Sequence, residues 1–510
     1  MTEFILVAGM FTGARVWEGT AARLVPAGAG AHPVALSGLG PGADGDDDPV
    51  DLERHIADVL AVIDDVVASA GDGPAPEIVL VGHDYGMYPL LGAADRRARH
   101  IARIVAVDTG PAADGMPALA VVADAGLRDE VIALAGADGP VRPLPAPEPE
   151  QWQRWGSTDG LDDAALKHLT SLASPQPLAT LLQPLKLTGA SGALPVTGVL
   201  CQANGGSIGL LQQRVDFGDP VIGMLASPGI SFFELATGHW PMLSRPGELA
   251  DVLLRAAAGE GHRLTKPDAD RPPAHLRPFP LDVPERTPER HGNIDLYVPE
   301  GGGPRPAVVF VHGGPVPAGV EPTPRDWTAL RGYARYAAAE GVVGVLFDHR
   351  LHDTTDYARA ADDVAAAVER VRSDPRVDAD RIALWFFSGG GLLCADWLGA
   401  PPAWLRCLAA SYPILVPLPG WGPVEDRFRP ADALAGTGSL PLVLTRVGQE
   451  MPGIAATVEE FLTSAARHGT DIEIIDVPSG HHAFEGDPVT DEIRDALRAA
   501  MSAVIGRLTD

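Results

Sequence analysis

Short apolar runs ended by a glycine or a polar residue alternate along the chain with stretches whose apolar residues recur at helical spacing. Phe4–Ala8, His32–Leu36, Ile78–Gly82, Ile104–Val107, Val196–Cys201 and Ile230–Leu235 read as strands. Val16–Leu24, Leu52–Ala70 and Pro246–Ala257 read as helices; in the second, Ile56, Val59, Leu60, Ile63, Val66 and Val67 share one face. The same alternation returns after a break. Asn293–Val298, Ala307–Val311, Gly344–Phe347, Arg381–Phe387, Leu408–Tyr412, Leu440–Thr445 and Glu473–Val477 are the later strand candidates, with a helix over Ala360–Arg372. Strands alternating with helices imply a parallel, doubly wound sheet.

The break falls at residues 259–278, a charged and proline-rich stretch without periodicity, which reads as a linker. The expected organisation is therefore residues 1–258, a linker over 259–278, and residues 279–510. Residues 111–190 interrupt the first rhythm; rich in alanine and proline, with Trp152 and Trp155, they read as a mostly helical cap. A shorter insertion reaches about residue 435 of the second half. Asp44-Gly-Asp-Asp-Asp48 reads as a solvated loop, because the ligand spacing of a calcium loop is absent.

Composition narrows the class. With 510 residues, 46% apolar and 21% charged, the chain suits roughly two to four soluble globular domains. A formal net charge of -28 repels nucleic acid and anionic membrane. The three cysteines, Cys201, Cys394 and Cys407, form no CxxC pair, which excludes a disulfide scaffold and a cysteine zinc site. No apolar stretch has membrane-spanning length, and Met1–Gly9 has no basic leader, so the expected location is the cytoplasm. Lysine occurs only at 167, 186 and 266, which reads as the coding bias of a GC-rich bacterium. No P-loop or HExxH motif occurs, so no cofactor or metal is expected.

The chemistry concentrates at two glycine-rich turns, each directly after a strand. Arg381-Ile-Ala-Leu-Trp-Phe-Phe-Ser388-Gly-Gly-Gly391 has the form of a nucleophile elbow, in which a strained strand-to-helix turn lifts a side chain above the sheet. Ile78-Val-Leu-Val-Gly-His-Asp84-Tyr-Gly86 has the same form with aspartate at the apex. In the second half, Ser388, Glu450 and His482 follow in the order Ser, acid, His, each just after a strand. Ser388 would attack, His482 would relay its proton, and Glu450 would orient the imidazole. Backbone amides near Gly313, Gly314 and Gly389 would face the developing oxyanion.

On His312-Gly-Gly, Phe386-Phe-Ser388-Gly-Gly390, Gly448-Gln-Glu450 and His482-Ala-Phe484, residues 285–508 resemble α/β-hydrolase esterases of the dienelactone-hydrolase and acetyl-esterase branch. That resemblance favours His482 over His481. It implies glycine where Phe386 stands, so Phe386 is expected to strain the elbow or narrow the pocket. Residues 3–257 resemble small α/β-hydrolases of the methyl-esterase and hydroxynitrile-lyase type on Phe4-Ile-Leu-Val-Ala-Gly, Leu80-Val-Gly-His-Asp-Tyr-Gly86, Ile104-Val-Ala-Val-Asp108 and Ala236-Thr-Gly-His239. Here Ala8-Gly9 replaces a His-Gly oxyanion motif, and Asp84 replaces serine. The resemblance implies Met10 and Tyr85 as oxyanion-hole positions and His239 as the base, with Asp108 as its acid. The acid position after Val196–Cys201 offers only Asn204.

Three readings of the first half stay open: a degenerate, structural or binding role, Asp84 as covalent nucleophile with His239 activating water, or Asp84 as an acid/base in non-hydrolytic tailoring of a polyketide-like or other small product. The residues that set dehalogenases and epoxide hydrolases apart are missing, since Tyr85 follows the apex and residues 111–190 hold no tyrosine. The expected fold is thus two tandem α/β-hydrolase domains, each a mostly parallel doubly wound sheet with helices on both faces and a cap insertion. The expected activity is hydrolysis of an ester, thioester or related acyl bond of a small molecule by the second domain. The alternatives are catalysis at Asp84 and His239, and a pseudo-hydrolase that binds a ligand or partner. The oligomeric state is left open.

Overall fold

A computed structural model describes the chain except residues 41–49, 72, 111, 123, 136–142, 217–218, 267–271, 419–420, 422–423 and 510. The acidic stretch Asp44–Asp48 lies outside the described residues. The chain divides into two compact units: Met1–Val215 with Pro220–Lys266, and Pro267–Asp510 with Asp216–Asp219. The predicted linker is packed at both ends. His262 bridges to Phe232, Leu264 is buried on the first unit, and His275 is buried on the second.

The first unit is built on six strands: β1 Thr2–Val7, β2 Gly30–Pro33, β3 Glu77–His83, β4 Ile101–Val107, β5 Val196–Cys201 and β6 Ile230–Leu235. They lie all parallel in the order β2-β1-β3-β4-β5-β6. The central strands bury both faces, as Phe4–Val7 and Ile78–Val81 show at 0% exposure, which is why they read as continuous apolar runs. Helix Leu52–Ser69 starts where Asp51 accepts a hydrogen bond from the Arg54 amide at 2.9 Å. It turns Ile56, Val59 and Ile63 inward. Gly92 of helix Met87–Arg97 lets the two helices meet closely, since a Cβ there would lie 2.5 Å from Ile56. Strand order reverses between β1 and β3, and the crevice at their carboxyl ends is where an open α/β sheet binds ligands.

The second unit holds β7 Glu289–His291, β8 Ile294–Tyr297, β9 Arg305–Val311, β10 Val343–Phe347, β11 Val377–Phe387, β12 Leu405–Ser411, β13 Leu442–Gln449 and β14 Ile472–His481. Their order is β14-β13-β12-β11-β9-β10-β8-β7. The run β10-β9-β11-β12-β13-β14 is parallel and repeats the strand order of the first unit. β7 and β8 add an antiparallel edge. Successive residues of β11 face opposite layers: Leu384 and Phe386 join one core cluster, Trp385 and Phe387 the other.

Phe386 corrects an expectation. Its ring is fully buried in the core and so does not narrow an open pocket. Its counterpart in the first unit is Gly82, where a Cβ would lie 2.6 Å from Met87 Sδ in the following helix. With phenylalanine there, the chain after the elbow takes a different path: a 3-10 turn over Ser388–Cys394, then a short helix Ala395–Leu398, in place of the continuous helix Met87–Arg97. Phe386→Ala would open a cavity and is expected to lower stability of the second unit by about 3–5 kcal/mol. Denaturant unfolding followed on that unit checks this, and a loss under about 1 kcal/mol would contradict the assigned packing.

Candidate active sites

In the second unit β11 stays extended to Phe387 (φ -121°), and then Ser388 turns to φ 48°. A left-handed non-glycine residue is strained, and here the strain projects the hydroxyl from the strand end. The glycines around it permit backbone to meet backbone. A Cβ on Gly389 would lie 1.9 Å from the Gly314 carbonyl oxygen, and one on Gly313 would lie 2.9 Å from Ser388 Cβ. The loop after β9 is thereby held against the apex.

Ser388 Oγ lies 2.7 Å from His482 Nε2, and His482 Nδ1 lies 2.8 Å from Glu450 Oε2. Glu450 Oε1 also accepts from the Met451 amide at 2.8 Å. The side chains of His482 and Glu450 are each 6% exposed. His481, by contrast, is 65% exposed and pairs with Asp487. Glu450 follows β13, and His482 follows β14.

Behind the loop, His312 and His349 stack with ring centres 3.5 Å apart. His312 Nδ1 lies 2.6 Å from the Gly313 carbonyl oxygen, and its Nε2 accepts from the His349 amide at 3.3 Å. His349 Nε2 lies 3.0 Å from the His312 carbonyl oxygen, and its Nδ1 accepts from the Leu351 amide. Each ring thus has one donor and one acceptor satisfied, which suits neutral imidazoles. Burial lowers the His312 pKa to about 4 and holds that of His349 well below its ordinary value. An unfolded histidine titrates near 6.5. Between these values the unfolded chain binds more protons, so acid favours unfolding. The second unit is expected to lose stability as pH falls from about 6.5 to about 4, and His312→Asn should flatten that dependence. Denaturant midpoints across this range check it; an equally steep fall in the variant would contradict it.

In the first unit Asp84 stands at the matching apex, at φ 47° after β3. Its Oδ2 accepts from the Met10 amide at 3.2 Å. His239 Nδ1 lies 2.7 Å from Asp108 Oδ2. Asn204 Nδ2 also donates to Asp108 Oδ2 at 2.7 Å, and its Oδ1 accepts from the Ser157 amide of the cap. The Cys201 amide donates to Asp108 Oδ1. Asp108 itself sits at φ 45°, directly after β4. Burial works against a charged His239, but the hydrogen bond and charge of Asp108, with the charge of Asp84 behind them, leave its pKa raised. His83 lies under it, with Nε2 2.8 Å from the His239 carbonyl oxygen and its pKa lowered to about 4 by burial and by the His239 charge.

Asp84 and His239 share no hydrogen bond. The Tyr85 side chain points into the core, its hydroxyl 2.7 Å from His55 Nδ1. The cap closes over this site: the His239 amide donates to Ser157, the Phe11 amide to Gln176, and Phe11 packs edge-on against Trp155. Strand by strand, Ser388 corresponds to Asp84, Tyr412 to Asp108, Glu450 to Asn204, and His482 to His239. The sequence pointed to Asn204 only as a missing carboxylate; it holds Asp108 and the cap together. Glu485, Tyr412 and His349 went unnoticed. Among the described residues, no group of three or more His, Cys, Asp or Glu side chains is placed to hold a metal ion. Nor is any described helix long and apolar enough to cross a membrane.

Residues 4–252 match the family described as "Alpha/beta hydrolase family". A carbendazim hydrolyzing esterase from Nocardioides sp. (strain SG-4G) is 30% identical over 263 residues, which cover 50% of this chain and 98% of that protein. The chain belongs to the alpha/beta hydrolase family. Among solved structures similar to this hydrolase is an extracellular alpha/beta-hydrolase from a Paenibacillus species (19% identity, 50% of this chain and 99% of that chain, TM-score 0.40). Another is esterase 2 of Thermogutta terrifontis (19%, 46% and 99%, TM-score 0.35). A third is a methylesterase of Arabidopsis (18%, 51% and 100%, TM-score 0.38).

Proposed function

We propose that the second unit is a serine hydrolase acting on an ester, thioester or related acyl bond of a small molecule. The observation that supports this is the continuous chain from Ser388 through His482 to Glu450, at 2.7 and 2.8 Å. His482 takes the Ser388 proton as Oγ attacks the acyl carbon, and Glu450 stabilises the imidazolium that forms. The oxyanion develops toward the amides of the Gly313–Gly314 loop and Gly389. His482 then protonates the leaving group, and the acyl-Ser388 ester is hydrolysed by water that His482 activates. Mixing the whole chain with p-nitrophenyl acetate, quenching, and locating the acetyl group by mass spectrometry tests this reading. Acetyl on Ser388 is expected; turnover with acetyl elsewhere would overturn it.

For the first unit, the bond between Met10 and Asp84 favours a separate reading. The amide that would stabilise a substrate oxyanion is taken by the protein's own carboxylate. We infer that this unit does not run serine-type acyl chemistry and serves as an altered, accessory site.

A further inference from the structure

Next to the second site lies a carboxylate that the triad does not use. Glu485 is 3% exposed. Its Oε1 accepts hydrogen bonds from two phenols, Tyr333 Oη at 2.6 Å and Tyr412 Oη at 3.2 Å. Among the described residues, no Lys or Arg is in an ion pair with Glu485, and the Arg277 guanidinium donates to the neighbouring Gly486 carbonyl. An enclosed carboxylate without a cation is expensive, and such groups persist where they serve a site.

Its surroundings point to His482. The Tyr412 ring stands edge-on to the imidazole, with ring centres 4.9 Å apart. Tyr412 closes β12 at φ 37°, a strained conformation for a large side chain. Ala483, at φ 59°, leads from His482 into the tight turn Phe484–Gly486 that carries Glu485. Through its two phenols, Glu485 ties that turn to the end of β12 and to Tyr333 on helix Thr328–Ala339. The strand-end place of Tyr412 is held in the first unit by Asp108, which bonds His239 directly. In the second unit the residue at this place, Tyr412, instead packs its ring on His482 and gives its hydroxyl to Glu485 on the turn after β14.

We propose that Glu485, acting with Tyr412, is a positioning residue that fixes the His482 loop and supports positive charge on its imidazole. This rests on the serine-hydrolase reading of the second unit. Ser388, Glu450 and Tyr412 touch His482, and the charge of Glu485 acts on it; Tyr333 and Tyr412 face Glu485, and the Arg277 guanidinium donates to the adjacent Gly486 carbonyl. Burial raises the Glu485 pKa, opposed by the tyrosine hydrogen bonds and by the charge of His482. Imidazolium formation and a charged Glu485 therefore favour each other.

The test is the rate at which a fluorophosphonate probe labels Ser388 in the full chain, measured against pH for wild type, Glu485→Gln and Tyr412→Phe. Glutamine keeps the size and still accepts from the phenols. Its labelling rate is expected to fall about tenfold on the plateau. The acid limb of the labelling profile is expected to move to lower pH, because a negative charge beside the active-site loop is gone. Tyr412→Phe keeps the ring and removes one hydrogen bond, so a smaller shift in the same direction is expected. A purely structural role would leave the limb in place. Wild-type labelling at Ser388, with an unmoved limb in both variants, overturns the proposal. If Glu485→Gln does not fold, an unmoved limb in Tyr412→Phe alone overturns it. Absence of label in the wild type would instead overturn the serine-hydrolase reading itself.

Discussion

Ser388→Ala is expected to lower hydrolysis of p-nitrophenyl acetate by about 10⁴-fold or more, while Asp84→Asn changes it less than about twofold. The contrast follows from the two apices. Both stand at nearly the same strained backbone angle, φ 48° and 47°. Only Ser388 offers a hydroxyl whose proton an imidazole can take, at 2.7 Å. Removing it leaves the oxyanion amides and the binding surface, which give only residual catalysis. Asp84→Asn touches neither. Steady-state rates on the full chain check both variants. Loss of hydrolysis on Asp84→Asn, with Ser388→Ala unaffected, would move the chemistry to the first unit.

Asp84→Ser in a Ser388→Ala background is expected to create a new esterase. The first unit already carries an apex, a histidine held by Asp108 at 2.7 Å, and an amide at Met10. On the proposed reading the carboxylate is the obstacle to acyl chemistry there: it occupies the Met10 amide, and its attack on an acyl carbon would give a mixed anhydride. A serine releases the amide, and one oxyanion donor is worth about 10²–10³ in rate. The double variant should therefore exceed Asp84→Ala/Ser388→Ala by at least about tenfold in p-nitrophenyl acetate turnover. Equal rates would mean that the cap or the placement of His239, not Asp84, closes this site.

Strands and apices were the most legible parts of the sequence. A central strand of a parallel sheet buries both faces, so β3 and β11 stand out as unbroken apolar runs, and the glycines after them mark where backbones meet. β7 is exposed and short, and its residues Glu289–His291 carry no apolar signal. Phe386 misled because position alone does not say which face a side chain takes; it packs inward, and the turn behind it shifts. The carboxylate at 485 was hidden by its setting, since Phe484-Glu-Gly486 reads as an ordinary polar turn. Its burial arises from Tyr333 and Tyr412, which are far from it in sequence. Positive φ at Asp108 and Tyr412 leaves no mark either, because neither is glycine. Asn204 reads as a lost acid, while Asp108, already expected as the acid for His239, lies one strand away at 2.7 Å from the imidazole.

The most direct measurement of the central claim is fluorophosphonate labelling of the purified full chain, with the modified residue located by mass spectrometry. An activated serine is expected to carry the label at Ser388, and Ser388→Ala should remove it. A folded protein that takes no label, or takes it elsewhere, would contradict the assignment of Ser388, His482 and Glu450 as a working hydrolase site.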